Sequence, residues 1–453
     1  MDKIDSLLNN KRISIYLLIF FTIVIITLAM FSNRLSFHDT QEYIVVSKYL
    51  AGIDNIKPFS AHSIVYPVII SFFLKILTIE LTLKLANALW IILIGFLLLN
   101  FKSKKLILLY IFSPMVYILF PQVTPTLPAA FFFLLAYLFI KKYEETNKKQ
   151  FFIFSGLSLG MCFALYTPMI ILMALFILAY FYDKKLTNVI YYLLLLIPGL
   201  LIELVVDQIY FGFPFYSIIR YLGSNVLVAL GLNQNISFDQ TYHFINSIPL
   251  LIFGISPLLV LIFKAKFKEF KREFIFIIPF VLFFLYRGGA QLKYIFLVAP
   301  ILLLILSKIL TKKLVIVSII ISIIITPFLI SDYFGETTDK IIKDDINSIK
   351  QDFNPKEVLA GKNLALVLAG LQFKDSIYIV WPEEIGNKTT RSYKFVMDSK
   401  IDVLNSIEFT ADMKINNPEK YDNLLLVERK DQTSKDYKEL KCYKELCVYE
   451  KLD

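Results

Sequence analysis

Carboxylates, histidines and tyrosines crowd into one short polar stretch of an otherwise apolar chain. Phe37-His38-Asp39-Thr40-Gln41-Glu42-Tyr43 opens it, Tyr49-Leu50-Ala51-Gly52 follows, and His62-Ser63-Ile64-Val65-Tyr66-Pro67 closes it. Charged groups held at a bilayer edge are costly, and where they persist they usually serve a function. Asp39 and Glu42 lie three residues apart, so a helix starting near Thr40 puts them on nearly one face. A carboxylate there can act as general base toward a hydroxyl or bind a divalent metal. The same spacing suits a capping box, with Asp39 as N-cap and Glu42 as its partner, and the two roles are compatible. His38, His62 and His243 are the three histidines of the chain. On one face they could join Asp39 in a metal site, although interfacial hydrogen bonding is the commoner use of such residues.

The elements that must position this stretch are built for lipid. Hydrophobic residues make up 57% of the 453 and charged residues only 19%, with a mean hydropathy of +0.65. Soluble proteins are about one quarter charged. The chain therefore reads as an α-helical polytopic membrane protein of the cell membrane. Its net charge of +10 does not point to nucleic acid, because the basic residues sit in short clusters between apolar segments, where they set topology. Residues 12–31 are too long for a signal core and lack a small-residue cleavage site, which makes them a retained first helix.

The basic clusters are Lys11-Arg12, Lys102 to Lys105, Lys141 to Lys149, Lys184-Lys185, Lys264 to Arg272 and Lys312-Lys313. Facing all of them inward predicts about eleven spans. Residues 106–140 and 151–182 become hairpins with outer tips at Phe120 to Thr126 and Tyr166 to Pro168. Residues 188–206 exit, and 248–264, 274–287, 291–310 and 314–330 alternate. The interval 63–101 is too short for three spans of ~20 residues, so 85–101 crosses and 64–79 forms an interfacial or re-entrant helix on the outer face. Residues 32–63 and 207–247 are then outer loops of a transmembrane domain covering 1–330.

After Ser331-Asp332 the composition turns polar, and 331–453 reads as a small extracytoplasmic α/β domain. It carries an amphipathic stretch at 340–352, strand-like runs at 376–381 and 423–427, and a terminal hairpin from Cys442 to Tyr449. No dinucleotide or P-loop glycine pattern is present. Cys162 reads as a small core residue. Cys442 and Cys447 lack zinc-site spacing; they are close enough to pair across a tight hairpin if the C-terminus lies outside the cytoplasm.

The motifs taken together resemble those of the GT-C superfamily glycosyltransferases, closest to the protein O-mannosyltransferase and aminoarabinose transferase branch. Asp39-Thr40-Gln41-Glu42-Tyr43 leading to Ala51-Gly52 resembles the family's acidic first-loop motif, and His62 to Pro67 its interfacial segment. Ser113-Pro114 and Thr124-Pro125-Thr126 continue the resemblance. So do Tyr210-Phe211-Gly212-Phe213-Pro214, Asn225, Thr241-Tyr242-His243-Phe244 and Gln291 to Pro300, in family order from about residue 12 to 310. Two departures stand out: Thr40 occupies the place of the second acid, and the turn at 121–126 has none.

The resemblance implies an inverting transfer of sugar from a polyprenyl-phosphate-linked donor to an acceptor hydroxyl on the extracytoplasmic face. The acceptor could be a glycan, lipid or protein. Asp39 is then the expected base, with Glu42 beside it. Lys293, with Arg287 and Arg220, is expected to neutralise the departing phosphate. His38, His62, His243, Tyr43, Tyr66 and Tyr294 complete the expected substrate-binding set. No cofactor is required, and a divalent metal stays open. For Lys293 the competing role is a snorkelling anchor at a span end. The rival classes are a transporter or lipid flippase, for which Glu203 is the one acid inside a span, and a non-catalytic scaffold presenting 331–453.

Overall fold

In hydrocarbon an apolar run has one stable form, a helix that closes its own backbone hydrogen bonds. The computed structural model describes residues 11–33, 38–53, 63–121, 123–219, 252–264, 268–286, 292–335, 338–355, 357–360, 378–380, 425–430 and 437–451. The apolar runs among them are helical. In chain order the helices are α1 (Lys11–Phe31), α2 (His38–Leu50), α3 (Val65–Leu74), α4 (Ile79–Leu98), α5 (Lys104–Ile111), α6 (Pro114–Leu119), α7 (Thr126–Thr146) and α8 (Lys149–Leu165). They continue with α9 (Ile170–Phe181), α10 (Leu186–Leu194), α11 (Ile197–Phe211), α12 (Lys271–Tyr286), α13 (Leu292–Ile295), α14 (Ala299–Ile309), α15 (Lys312–Ile330) and α16 (Thr338–Phe353).

Five stretches among the described residues are long and apolar enough to cross a membrane: Arg12–Phe31, Ile79–Phe101, Thr126–Thr146, Leu186–Phe211 and Lys312–Ile330. Val65–Leu74 has only 10 residues, about 15 Å of helix, which is half the ~30 Å hydrocarbon thickness. Three expected spans are interrupted, each just before a proline. Pro114 separates α5 from α6, Pro198 stands in the first turn of α11 after α10, and Pro300 follows the break between α13 and α14. Proline supplies no N–H and clashes with the preceding turn, so a helix restarts at it rather than running through.

The chain forms two compact units. One comprises Met1–Phe31, Lys84–Glu203 and Ser237–Ser331; the other comprises Ser32–Leu83, Leu204–Ile236 and Asp332–Asp453.

In the first unit small residues bring helices to backbone contact. A Cβ on Gly199 would stand 2.1 Å from the carbonyl carbon of Gly160, and one on Gly160 would stand 2.8 Å from the Leu196 oxygen. Gly156-x-x-x-Gly160 therefore makes α8 a flat face against Leu195 to Gly199, the close-approach mode used where lipid offers no hydrophobic drive. Phe133, Phe176 and Phe276 fill the space between α7, α9 and α12, with ring centroids 5.5 to 5.8 Å apart. Polar links then tie helix ends at common levels. Lys84 Nζ donates to the Met30 carbonyl at 2.9 Å, and Asn87 donates to the Leu119 carbonyl at 3.2 Å. Lys105 Nζ donates to the Leu310 carbonyl at 2.7 Å, and Ser103 and Ser307 meet at 3.3 Å. Tyr137 donates to Glu273 at 2.8 Å, Lys141 pairs with Glu273 at 3.0 Å, and Arg272 pairs with Glu144.

In the second unit Asn33, two residues past α1, is tied to the chain just past α15. Its backbone N–H donates to the Tyr333 carbonyl at 2.7 Å, and its side-chain amide donates to Phe334 at 3.3 Å and Gly335 at 2.9 Å. The strands β1 (Glu357–Ala360), β2 (Tyr378–Val380), β3 (Leu425–Arg429), β4 (Tyr437–Cys442) and β5 (Leu446–Lys451) form one sheet, ordered β2-β1-β3-β5-β4. β1 runs parallel to β2 and β3, and β5 runs antiparallel to β3 and β4. The β4–β5 hairpin is closed by the Cys442–Cys447 disulfide. Its turn is held by α16: the buried Asp345 accepts from the backbone N–H of Lys444, Glu445 and Leu446 at 3.3, 2.7 and 3.0 Å. Ile342, Ile346 and Ile349 form the buried stripe of that helix, the face its charged sequence required.

Asp352, about two turns beyond Asp345 along α16, bonds Lys441 at 2.6 Å and the Tyr443 hydroxyl. The Lys441 hydrogen bond first, then Tyr443, lowers the Asp352 carboxyl from its ordinary value. A depressed carboxylate stabilises the folded form above its unfolded pKa and stops doing so as pH falls through the folded one. Resistance of the α16–hairpin region to proteolysis should therefore decline as pH drops below about 4. Asp352→Asn should lower resistance at neutral pH and flatten that acid limb; an unchanged acid limb would refute the link.

Candidate active site

Helix α2 begins at His38, so Asp39 falls inside its first turn rather than ahead of it as an N-cap. That is a correction to the capping-box reading. A carboxylate in a first turn is still favoured by the exposed N–H groups and the positive helix end. Glu42 follows one turn on, on the same flank.

The rest of α2 is fixed by packing. Tyr43 is buried and meets the equally buried Tyr66 edge to face, with centroids 5.6 Å apart and planes at 80°. Ser47 Oγ lies between the carbonyls of Tyr43 and Pro67 at 2.5 and 3.0 Å, where its one proton serves both. Val46, Ile64 and Tyr210 form a core, with Tyr49, Leu50, Val68, Val206 and Phe211 packed around it. The start of α3 and the end of α11 thus clamp α2, and that clamp orients its first turn. Gly52, at φ +75°, reverses the chain after α2 while the Gly52 and Ile53 N–H groups bond Tyr49 and Lys48 at 3.0 and 2.9 Å. Only a residue without a Cβ takes that left-handed position readily. The Ala51-Gly52 element of the motif is therefore a helix stop.

The segment after α11 is built on the same logic. Gly212 ends the helix at φ +78°. The buried Asp207 then accepts from the Ser217 N–H at 2.8 Å and from the Ser217 hydroxyl at 2.7 Å. Phe211 stacks on Tyr216 at 3.7 Å. This turn leads directly to Arg220.

In the other unit Lys293 is 7% exposed, and its ammonium lies 5.2 Å from the Tyr294 ring centroid. Tyr294 in turn lies nearly parallel to Tyr166, at 6.2 Å and 17°. A simple snorkelling anchor would extend toward water; Lys293 does not. The structure thus brings Tyr43 to Tyr66, and Lys293 with Tyr294 to Tyr166. His62, Arg220, His243 and Arg287 lie outside the described residues, and for His38, Asp39 and Glu42 it is the backbone position on α2 that is described. Among the described residues the one group with metal-type spacing is Glu439, Cys442 and Cys447. Its sulfurs form a disulfide and offer no thiolate, so it does not fit a metal.

Four buried charged residues among those described went unnoticed in the sequence: Lys48, Asp207, Glu273 and Asp345. Lys48 is 2% exposed, and its signal was periodic: it stands one turn after the buried Ile44. Asp207 could be seen as an acid near a span end, but its partner Ser217 lies ten residues on, beyond any local pattern. Asp207→Ala should leave two Ser217 donors unsatisfied, costing about 2 kcal/mol or more. Hydrogen exchange across 212–219 should speed up markedly in that variant, and exchange equal to wild type would show that the clamp is not what orders this turn.

No family model matches the sequence, and no curated protein does. Among solved structures the chain superposes on ArnT from Cupriavidus metallidurans in its apo crystal structure with a TM-score of 0.65 at 12% identity, covering 96% of this chain and 97% of that one. The crystal structure of the same protein bound to undecaprenyl phosphate gives a TM-score of 0.62, at the same identity and coverage. Over 96% of its length, this chain has the fold of ArnT.

Proposed function

We propose that the protein is a polytopic membrane glycosyltransferase that moves a sugar from a polyprenyl-phosphate-linked donor to an acceptor hydroxyl on the extracytoplasmic face. The observation that carries this is the fold shared over 96% of the chain with ArnT, a protein whose crystal structure holds undecaprenyl phosphate. The acidic stretch on α2 and the buried Lys293 supply the two chemical roles such a reaction needs.

With Lys11-Arg12 inside, α1 runs outward and Asn33 is extracytoplasmic. Its bonds to Tyr333, Phe334 and Gly335 make the exit of α15 extracytoplasmic too. The number of spans is then odd, in line with about eleven: α1, α4, α5–α6, α7, α8, α9, α10–α11, 252–264, α12, α13–α14 and α15. The contacts of Lys105 with Leu310 and of Arg272 with Glu144 join four basic clusters in pairs at common levels, as one inner face requires. The expected outer loop 32–63, the first part of the loop 207–247 (up to Ile236) and the polar C-terminal part also fall in one compact unit. The Cys442–Cys447 disulfide suits an oxidising compartment. We therefore read 1–330 as the transmembrane domain and 331–453 as an extracytoplasmic α/β domain.

In this reading the acceptor oxygen bonds to the anomeric carbon while the bond from that carbon to the phosphate oxygen breaks, and the electron pair leaves with the lipid phosphate. A single displacement inverts the anomeric centre. Asp39 takes the proton of the acceptor hydroxyl, and Lys293 opposes the charge that grows on the phosphate, with Arg220 and Arg287 in support. Tyr294 holds Lys293 at the donor.

Three experiments test these assignments. Asn347 is exposed on α16, so Asn347→Cys in intact cells should react with a membrane-impermeant maleimide. Reaction only after lysis would place the C-terminal part inside and undo the proposed orientation. Asp39→Asn should abolish transfer with folding preserved, since the amide keeps the size but cannot take a proton, and Glu42→Gln should cost less; full turnover in Asp39→Asn would remove Asp39 as the base. Lys293→Ala should lower turnover per folded molecule by about ten- to a hundredfold, the worth of one charge-assisted contact of roughly 1.5–3 kcal/mol. Lys293→Arg should lose less because it keeps the charge. Equal turnover in wild type and Lys293→Ala would assign the lysine to anchoring.

A further inference from the structure

Glu203 sits inside the apolar stretch Leu186–Phe211, eight residues before its end, and is 0% exposed. An acid at such a place is costly and calls for a partner and a purpose. Thr167 supplies a partner: its Oγ1 donates to Glu203 Oε1 at 3.4 Å. Thr167 is itself buried and belongs to the outer turn that follows α8. The turn is tightly defined. Tyr166 is extended at φ −151°, its N–H bonds the Cys162 and Phe163 carbonyls at 3.0 and 3.2 Å, and its carbonyl accepts from Met169 at 2.9 Å. Tyr166 thus has the backbone of α8 on one side and the Glu203-bound threonine on the other.

The ring of Tyr166 is what Tyr294 lies against, and Tyr294 is what the Lys293 ammonium rests on. A continuous chain of contacts therefore runs from Glu203 through Thr167, Tyr166 and Tyr294 to Lys293, all within one compact unit. The links are a hydrogen bond of 3.4 Å, a ring stack of 6.2 Å and a cation–ring contact of 5.2 Å, with Glu203, Thr167, Tyr166 and Lys293 buried and Tyr294 half-buried. The four rotatable bonds of a lysine leave its ammonium poorly placed unless its surroundings restrict it. A cation accelerates departure of a phosphate only when it is already oriented toward the charge that develops, and displacement by about 1 Å can cost on the order of a hundredfold.

We propose that Glu203 and Thr167 are a positioning pair for the donor phosphate, holding the Tyr166–Tyr294 ring stack so that Lys293 is fixed in its working orientation. This rests on the glycosyltransferase reading. It adds a use for an acid inside a span, which a transporter would otherwise claim.

The test compares binding of undecaprenyl phosphate and of undecaprenol, which lacks the phosphate, to the purified full-length protein. Glu203→Ala and Thr167→Val should each weaken undecaprenyl phosphate binding about tenfold and leave undecaprenol binding unaltered. Glu203→Gln and Thr167→Ser keep an acceptor and a hydroxyl, and should recover most of the loss. In a Lys293→Ala background Glu203→Ala should cause no further loss, because both act on one contact. Equal weakening for the two lipids, or losses that add to that of Lys293→Ala, would overturn the proposal by showing a general packing role. If Glu203→Ala does not fold, Thr167→Val and its serine rescue decide the same question. A wild-type protein that binds both lipids equally would instead defeat the glycosyltransferase reading, and this proposal with it.

Discussion

Three hydrogen bonds from Asn33 to Tyr333, Phe334 and Gly335 hold the exit of the first span to the exit of the last. The chain two residues beyond α1 thus meets the chain three to five residues beyond α15. In the proposed orientation that meeting point is extracytoplasmic and the basic clusters lie on the other face. At 10 residues, α3 is half the length of a span.

The same economy governs the interior. With no water to bond to, every interruption of a helix must bring its own partners. The break before Pro114 is bridged by the Ser113 hydroxyl, which donates to the Ile255 carbonyl at 2.8 Å. Glu273 is buried with a tyrosine and a lysine, Asp207 with both donors of Ser217, and Glu203 with Thr167. Each of these three buried acids meets a second side chain. In unit after unit the turns that carry the recognisable motifs are also the ones so pinned: Tyr66-Pro67 by Ser47, the segment after Tyr210 by Asp207, and Tyr166-Thr167-Pro168 by Glu203.

Much of this was legible in the sequence, because membrane helices obey hydropathy and local stereochemistry. The turns near Pro121 and Thr167, the short helix before residue 79, the amphipathic α16 and the cysteine-closed hairpin all follow from patterns a few residues long. The breaks before Pro198 and Pro300 were equally local, but continuous hydropathy across them hid the interruption. What escaped depends on distance. Tyr43 and Tyr66 look like ligand platforms in one dimension, and only the meeting of α2 with α3 packs their rings against each other. Lys48 is buried because of what packs beside it, and Lys293, which the sequence left between a phosphate ligand and an anchor, is buried with its ammonium 5.2 Å from the Tyr294 ring. The start of α2 was misjudged by two residues, enough to move Asp39 from a cap into the helix.

The central claim is that this fold, shared with ArnT, performs transfer from a polyprenyl-phosphate-linked sugar. The most direct measurement is to incubate the purified protein with a panel of labelled polyprenyl-phosphate sugars and quantify the free polyprenyl phosphate released. The account predicts release from at least one donor, dependent on folded protein and matched by sugar appearing on an acceptor. No release above the heat-denatured control from any donor, by protein shown to bind undecaprenyl phosphate, would contradict it.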